Sequence, residues 1–247
     1  MIYQGNKARL RKYIVPFIQN CIDRNNIKTY IEPFVGGANV IDHIRCSERI
    51  GTDINRELIT LLNYMKYYPD MAIFPEECPF KLYNNVREAR KKHTGKYSPE
   101  FTAGIGYFAS YGGRYFDGGY GRDKKGERSV YNERLRYARK QAPLLANISF
   151  RPQDYRKFLG TKGCVFYLDP PYKGTKEYNG AKFDSEAFAD FARAIGKDNF
   201  VFISEFDMPD DFRCVWQKER AIRQKSDRTV SEYKTERLFT IGLSSEK

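Results

Sequence analysis

The sequence predicts an α/β protein: a doubly wound, mostly parallel sheet with a helical, basic segment inserted into it. Three observations carry this expectation. Short strand-like runs at 29–32, 49–53, 164–168 and 200–204 alternate with stretches of helical periodicity, the pattern of strands joined by right-handed helical crossovers. The first run ends in EPFVGG (32–37) and the third in DPPY (169–172), so turn-forming residues fall at the carboxyl ends of strands. Between about 70 and 142 the composition shifts. Residues 81–140 carry 15 Lys and Arg against 6 Asp and Glu, a local +9 out of a chain total of +12.

Along the chain, Leu10, Ile14, Phe17 and Cys21 recur at helical spacing, which suits an amphipathic helix kinked or restarted at Pro16. A strand at 29–32, a Pro/Gly turn, a helix-like ANVIDHIR (38–45) and a second strand at 49–53 follow. Asn55 is placed to cap a helix running to about 67, with Leu58, Ile59, Leu61 and Leu62 on its apolar side. Residues 104–121 hold seven glycines interleaved with Tyr107, Phe108, Tyr111, Tyr115, Phe116 and Tyr120, and glycine at that density predicts neither a regular helix nor a buried strand. Of these rings, Tyr107, Phe108 and Tyr111 are expected in a local core; Tyr115, Phe116 and Tyr120 are the better candidates for stacking on a ligand. CVFYL (164–168) reads as a buried parallel strand. A helix at 184–195, a strand at 200–204, a polar connection at 227–234 and a final strand LFTIG (238–242) complete the pattern. Segments 1–69 and 143–247 are expected to form one domain, with 70–142 as an inserted recognition module.

Composition excludes several classes. No run approaches the roughly 18 uncharged apolar residues of a transmembrane helix, and the first residues lack the apolar core of a signal peptide. Five cysteines lie far apart with no CxxC pair, so reduced thiols and a cytoplasmic location are expected. His43 and His93 sit in no metal-ligand spacing, and no metal is expected. The positive charge points to a polyanionic partner; a basic surface without a ligand is the alternative.

The glycine turn at the end of the first strand lets backbone approach a ligand closely, or it is only a tight connection. Asp53, about 16 residues beyond the glycines, ends the second strand. It can accept hydrogen bonds from both hydroxyls of a ribose, or sit as an acid at a helix N-terminus. Together the two favour an adenosine-containing ligand. Asp169, Pro170, Pro171 and Tyr172 then place a carboxylate, a rigid acceptor carbonyl and a ring at the sheet's edge. The prolines donate nothing, so the turn offers acceptors of the kind an exocyclic amino group requires, and Tyr172 can stack on a base rotated out of a duplex.

These motifs in this order resemble the Dam-type DNA adenine-N6 methyltransferases, with GNKARL, EPFVGG, TDIN and DPPY matching over nearly the whole chain. The resemblance implies the Rossmann-like fold of S-adenosylmethionine-dependent methyltransferases, in which 1–69 and 143–247 form the catalytic domain and 70–142 the target-recognition domain. It implies S-adenosylmethionine as cofactor, bordered by Tyr3 and Lys7, lined by Glu32, Pro33, Phe34, Gly36 and Gly37, held at its ribose by Asp53 and touched by Asp169. Ala38 and Asn6 depart from the family's usual residues. Double-stranded DNA is the implied partner, contacted by Arg87, Lys91, Arg114, Tyr115, Arg122, Lys124 and Lys125. A cognate restriction enzyme is a further candidate partner, and a monomer or weak dimer is expected. Methylation of the cytosine amine or of RNA adenine is the alternative, and a non-catalytic DNA-binding protein a remote one.

Overall fold

The computed structural model describes residues 1, 5–123, 128–171, 183–223 and 231–242. Its elements are α1 (Arg11–Arg24), β1 (Thr29–Glu32), β2 (Glu48–Asp53), α2 (Arg56–Tyr67), α3 (Phe80–Lys91), α4 (Pro99–Ala109), α5 (Val130–Gln141), β3 (Ile148–Pro152), β4 (Val165–Leu168), α6 (Ser185–Gly196), β5 (Phe200–Glu205), β6 (Arg213–Arg223) and β7 (Ser231–Gly242). The strands form one mostly parallel α/β sheet in the order β3-β2-β1-β4-β5-β7-β6. β1 and β5 both run parallel to β4, while β7 lies antiparallel between β5 and β6. The strand order reverses between β1 and β4, and the carboxyl edge at such a reversal is where doubly wound sheets bind ligands.

Two compact units divide the chain. The first comprises Met1–Lys12, Val35–Ile44 and Gly51–Gln153; the second comprises Tyr13–Phe34, Arg45–Ile50 and Asp154–Lys247. In the second unit β4 is buried along all four residues. Phe166 and Leu168 pack with Phe188, Ala192 and Ile195 of α6 and with Val201 and Ile203 of β5. The alternate residue, Tyr167, turns to the opposite face, as strand geometry requires. There its hydroxyl meets Ser204 Oγ at 2.7 Å. Asn199 joins the base of this layer, donating to the Thr161 and Ile195 carbonyls and accepting from the Cys164 amide.

In the first unit α2, α3 and α5 all pack on α4, so α4 is surrounded and buried from Ala103 to Ala109. That placement explains its glycines. A Cβ at Gly104 would run into the Phe74 ring and one at Gly106 into the Tyr115 ring. The glycines therefore bring aromatic rings against helix backbone. They do not break the helix, which corrects the expectation of an irregular segment over 104–109.

Other expectations change for physical reasons. ANVIDHIR forms only a single 3-10 turn at Ile41–His43. Ala38 takes the left-handed φ of 55°, and Val40, Ile41, Asp42 and Ile44 are all buried, so there is no amphipathic stripe to sustain a helix. α1 does not restart at Pro16 but continues through it, buries Ile14, Ile18, Cys21 and Ile22, and leaves Phe17 exposed. Tyr111 is exposed, whereas Phe116 is buried against Tyr83, so their expected places are exchanged. The polar connection ends by Ser231, where β7 begins.

Not all of the positive charge of residues 81–140 faces solvent. Arg134 of α5 is buried, and its Nη1 donates to the carbonyls of Tyr107, Phe108 and Ser110 at the end of α4. These are the carbonyls a helix leaves without internal partners, and a cation there also suits the helix dipole. Arg134→Met should therefore destabilise the protein by about 2–3 kcal/mol, because it leaves several buried acceptors unmet. Arg134→Lys should recover part of the loss. Urea denaturation of the two variants checks this, and equal stability of Arg134→Met and the parent would refute it.

Candidate functional site

The glycine turn and the acid that follows it come together in the first unit. Val35 donates its amide to the Thr52 carbonyl at 2.8 Å, which clamps the turn to the end of β2. The Gly36 amide then donates to Asp53 Oδ2 at 3.2 Å, and the Asn55 amide donates to Asp53 Oδ1 at 3.0 Å. Gly36 has a φ of 47° and Ala38 one of 55°, so the chain passes through left-handed geometry on both sides of Gly37. Asn55 caps α2 by accepting from the Leu58 amide at 3.0 Å and also donates to the Tyr107 hydroxyl at 2.9 Å. Burial pushes the Asp53 carboxyl up to about 6, offset in part by the amides of Asn55, Gly36 and Ile54.

This arrangement fits an adenosyl cofactor. A carboxylate has about four acceptor positions, and each Asp53 oxygen already receives backbone donors. The amides of Gly36, Asn55 and Ile54 account for three of these positions, so one position remains for a ribose hydroxyl. Positions 36 and 37 present no side chain to obstruct backbone approach. Lys7 is also buried in this unit, and its carbonyl accepts from the Leu10 and Arg11 amides at 2.8 Å each.

The second unit carries the first three residues of EPFVGG and the described residues of DPPY. Glu32 is buried at the end of β1 and accepts from the Tyr30 hydroxyl at 2.6 Å. Pro33 is buried, and the half-buried Phe34 packs against Tyr155 and edge-on against Phe183 and Phe188, with centroids 5.0, 6.1 and 5.9 Å away. β4 delivers Asp169 half-buried at its carboxyl end, followed by buried Pro170 and half-buried Pro171. Burial raises the Tyr167 hydroxyl well above its ordinary range, and the nearby carboxylates of Asp169, Glu32 and Glu236 add to this against the opposing Ser204 hydrogen bond. Tyr167 therefore stays a neutral hydrogen-bonding group at any working pH.

The basic residues of the first unit do not form one uniform surface. A cleft of about 450 Å³ is lined by Arg56, Arg90, His93 and Lys96 together with the rings of Tyr97 and Tyr115. Arg90 lies over the Tyr115 ring at 4.8 Å and pairs with Glu57 at 3.6 Å. Arg122 lies over Phe80 at 4.9 Å and near Tyr120 at 5.7 Å. Arg114 is exposed, Lys91 pairs with Glu88 at 3.8 Å, and half-buried Arg87 has a buried Nε with no hydrogen-bond partner among the described residues.

The structure thus joins Gly36 to Asp53 directly, and groups Arg90 with Tyr115. Tyr3, Tyr172, Lys124 and Lys125 lie outside the described residues. The sequence reading missed Arg56 and Lys96 in the cleft, Asn55 as a link to Tyr107, and Gln141 beneath the glycine turn. Asn55 had a visible signal in the TDIN motif; Gln141 had none, because its partners are about a hundred residues away.

The family model described as D12 class N6 adenine-specific DNA methyltransferase matches residues 3–206. Among solved structures, the chain is similar to the rRNA methyltransferase aviRa of Streptomyces viridochromogenes, at 12% identity over 97% of this chain and 86% of that one, with a TM-score of 0.39. It is also similar to a conserved protein of Streptococcus pyogenes, at 8% identity over 86% and 85% of the two chains, with a TM-score of 0.33. No curated protein matches the sequence. Among the described residues, no helix is long and apolar enough to cross a membrane.

The Asp53 environment sets a pH dependence. An ionised carboxylate accepts from ribose hydroxyls and a protonated one does so less well, so affinity for S-adenosylhomocysteine should fall as pH is lowered from 7.5 through about 6. Asp53→Asn should bind more weakly at pH 7.5 and lose most of this pH dependence. Because the folded value lies above the ordinary 3.8, ionisation of Asp53 removes stability as pH rises from about 4 through about 6. Calorimetric titration across that range checks the binding effect; parallel curves for the two proteins would refute it.

Proposed function

We propose, from the premise that the chain belongs to the D12 class N6 adenine-specific DNA methyltransferase family, a division of labour among its residues in site-specific methylation of duplex DNA. As a member of that family it transfers a methyl group from S-adenosylmethionine to adenine N6 of DNA. The finer proposal is a Dam-type enzyme, in which 1–69 and 143–247 bind cofactor and carry the chemistry while 70–142 recognises the target.

The observation that carries the proposal is β4. A fully buried strand ends in a half-buried carboxylate followed by two residues that can only accept hydrogen bonds. In the proposed mechanism Asp169 and the Pro170 carbonyl accept the two N6 hydrogens of an adenine turned out of the helix. This draws the nitrogen's lone pair out of the ring's π-system and points it outward. Bound cofactor supplies an electrophilic methyl group. Asp53 takes a ribose hydroxyl, Gly36 and Gly37 give close backbone approach, and Lys7, Glu32, Pro33 and Phe34 are assigned to the cofactor by motif. The new N6–methyl bond forms as the sulfur–methyl bond breaks, and the amine then loses one proton toward Asp169 or water. Alignment accounts for most of the acceleration, since no covalent enzyme intermediate is needed. The outlying Tyr3 and Tyr172 are assigned to the cofactor and the base by motif.

Charge supports the assignment of 70–142 to DNA. Arg87, Lys91, Arg114 and Arg122, with Lys124 and Lys125, would neutralise phosphates, and Tyr115 under Arg90 offers a ring. Such contacts release counterions, so duplex affinity should fall steeply with salt while S-adenosylhomocysteine affinity hardly changes. Arg122→Ala should lower the slope of log affinity against log salt by about 0.9. Fluorescence anisotropy at a series of salt concentrations measures it, and an unchanged slope would remove Arg122 from the interface.

Asp169→Ala should reduce methyl transfer by at least about 100-fold while duplex affinity stays within about twofold. Labelled S-adenosylmethionine offered with separate duplex DNA, RNA and protein substrates reads the activity. Near-normal turnover of the variant would overturn the mechanism, and label on RNA or protein alone would overturn the choice of substrate.

A further inference from the structure

Beneath the glycine turn lies a buried carboxamide that the mechanism above does not use. Gln141 is the last residue of α5 and is 6% exposed. Its Nε2 faces three acceptors: the Gly37 carbonyl at 3.0 Å, the Ala38 carbonyl at 3.0 Å and Asp42 Oδ2 at 2.8 Å. Its Oε1 accepts from the Met1 amine. Asp42 is itself buried, and its second oxygen holds His43 Nδ1 at 2.6 Å. A single side chain thus satisfies two successive carbonyls of the turn whose preceding amide, at Gly36, is held by Asp53.

We infer that Gln141 is a positioning residue for the cofactor turn, by which α5 of the DNA-facing segment fixes the backbone that S-adenosylmethionine must approach. The inference rests on the assignment of the Gly36–Asp53 turn to the cofactor. Ala38 sits at φ 55°, a conformation that favours glycine over a residue with a Cβ. Left to itself, this peptide would relax toward negative φ and rotate the Gly37 and Ala38 carbonyls. Gln141 opposes that rotation by donating to both. The same nitrogen lies nearest to Asp42 Oδ2, at 2.8 Å, so its two N–H groups are shared among three acceptors that together fix the carboxamide. The turn is therefore preorganised from below by α5 and from the side by Asp53, and ligand binding need not supply the ordering.

The arrangement also defines what kind of residue can serve. The site needs a neutral side chain with two N–H donors on one nitrogen. Glutamate would set a carboxylate against two carbonyls and Asp42, and methionine would fill the space while donating nothing.

Gln141→Met in the full chain is the main test, with Asp53→Asn and Ala38→Gly as companions. By calorimetry without DNA, Gln141→Met should bind S-adenosylhomocysteine about tenfold more weakly, as expected from losing hydrogen bonds to two carbonyls. The KM for S-adenosylmethionine should rise by a similar factor, with kcat within about threefold and duplex affinity within about twofold. Gln141→Glu should be weaker still. Ala38→Gly in the Gln141→Met background should restore part of the affinity, because glycine adopts the left-handed turn without being held there. Melting temperature should fall under either reading, since buried acceptors lose their donor; a residue that only supported the fold would lower duplex affinity along with cofactor binding, and Ala38→Gly would not rescue it. The inference is overturned if Gln141→Met binds S-adenosylhomocysteine within twofold of the parent while Asp53→Asn binds weakly. If neither variant weakens binding, the assignment of the turn to the cofactor fails with it.

Discussion

The constraint on which much of this protein depends is the turn from Val35 to Ala38, a length of irregular backbone that is largely buried. Buried amides and carbonyls must find partners, since each one left unmet costs about 1–3 kcal/mol. Here the partners come from every neighbouring part of the first unit. Thr52 takes the Val35 amide, Asp53 takes the Gly36 amide, and the Ala38 amide returns to the Val35 carbonyl. Gln141 donates to the carbonyls of Gly37 and Ala38. The end of β2 and the end of α5 are thereby tied to one four-residue segment. A helix after the turn would have met the Gly37 and Ala38 carbonyls internally, though not the amides that precede it. The chain instead makes one 3-10 turn and leaves the requirement to side chains.

A second consequence concerns charge. A local excess of nine positive charges suggests a surface made for phosphate, yet several of those cations have partners inside the protein. Arg134 is buried on helix carbonyls, Arg139 donates to the Asp70 carbonyl at 3.0 Å, and Arg128 pairs with Glu133 at 2.6 Å. The Arg128 pair is exposed and contributes little to stability in water. Arg134 replaces solvent for the end of α4, and without it the most deeply buried helix of the first unit would end on unmet acceptors. What remains for a polyanion is narrower and better organised. Arg122 lies over the Phe80 ring, which restricts its rotamers and preserves its charge at the surface, and Arg90 lies over the Tyr115 ring while also pairing with Glu57.

How much of this was legible in the sequence depends on the range of the interaction. CVFYL followed by DPP is local, and β4 forms where it was expected with its acid at the strand end. The Asn55 cap is equally local, since its partner is three residues away. The pairing of Gly36 with Asp53 spans 17 residues, but the order of glycine turn and next strand made it accessible. The helix over 104–109 was missed because its glycines answer to Phe74 and Tyr115, contacts that no local pattern reveals. Gln141 was missed for the same reason at greater distance. Tyr111 and Phe116 exchanged places because spacing within a glycine-rich run does not specify which ring meets α3.

The raised value of Asp53 follows from the same turn and bears on how a site can be ready for its ligand. Burial disfavours the charged carboxylate, and the backbone amides offset this only in part. In the ligand-free protein the ionised acid therefore sits higher in free energy than it would in water. Hydroxyl donors in the position proposed for the ribose would lower that energy, so some of the binding free energy arises from relief of a cost already present in the fold. Full exposure of Asp53 would abolish this effect, because water would already have met the carboxylate. Complete pairing with a cation would abolish it too, because no unmet demand would remain. A buried acid supported by amides alone lies between these limits, and the turn that supplies the Gly36 amide is what places it there.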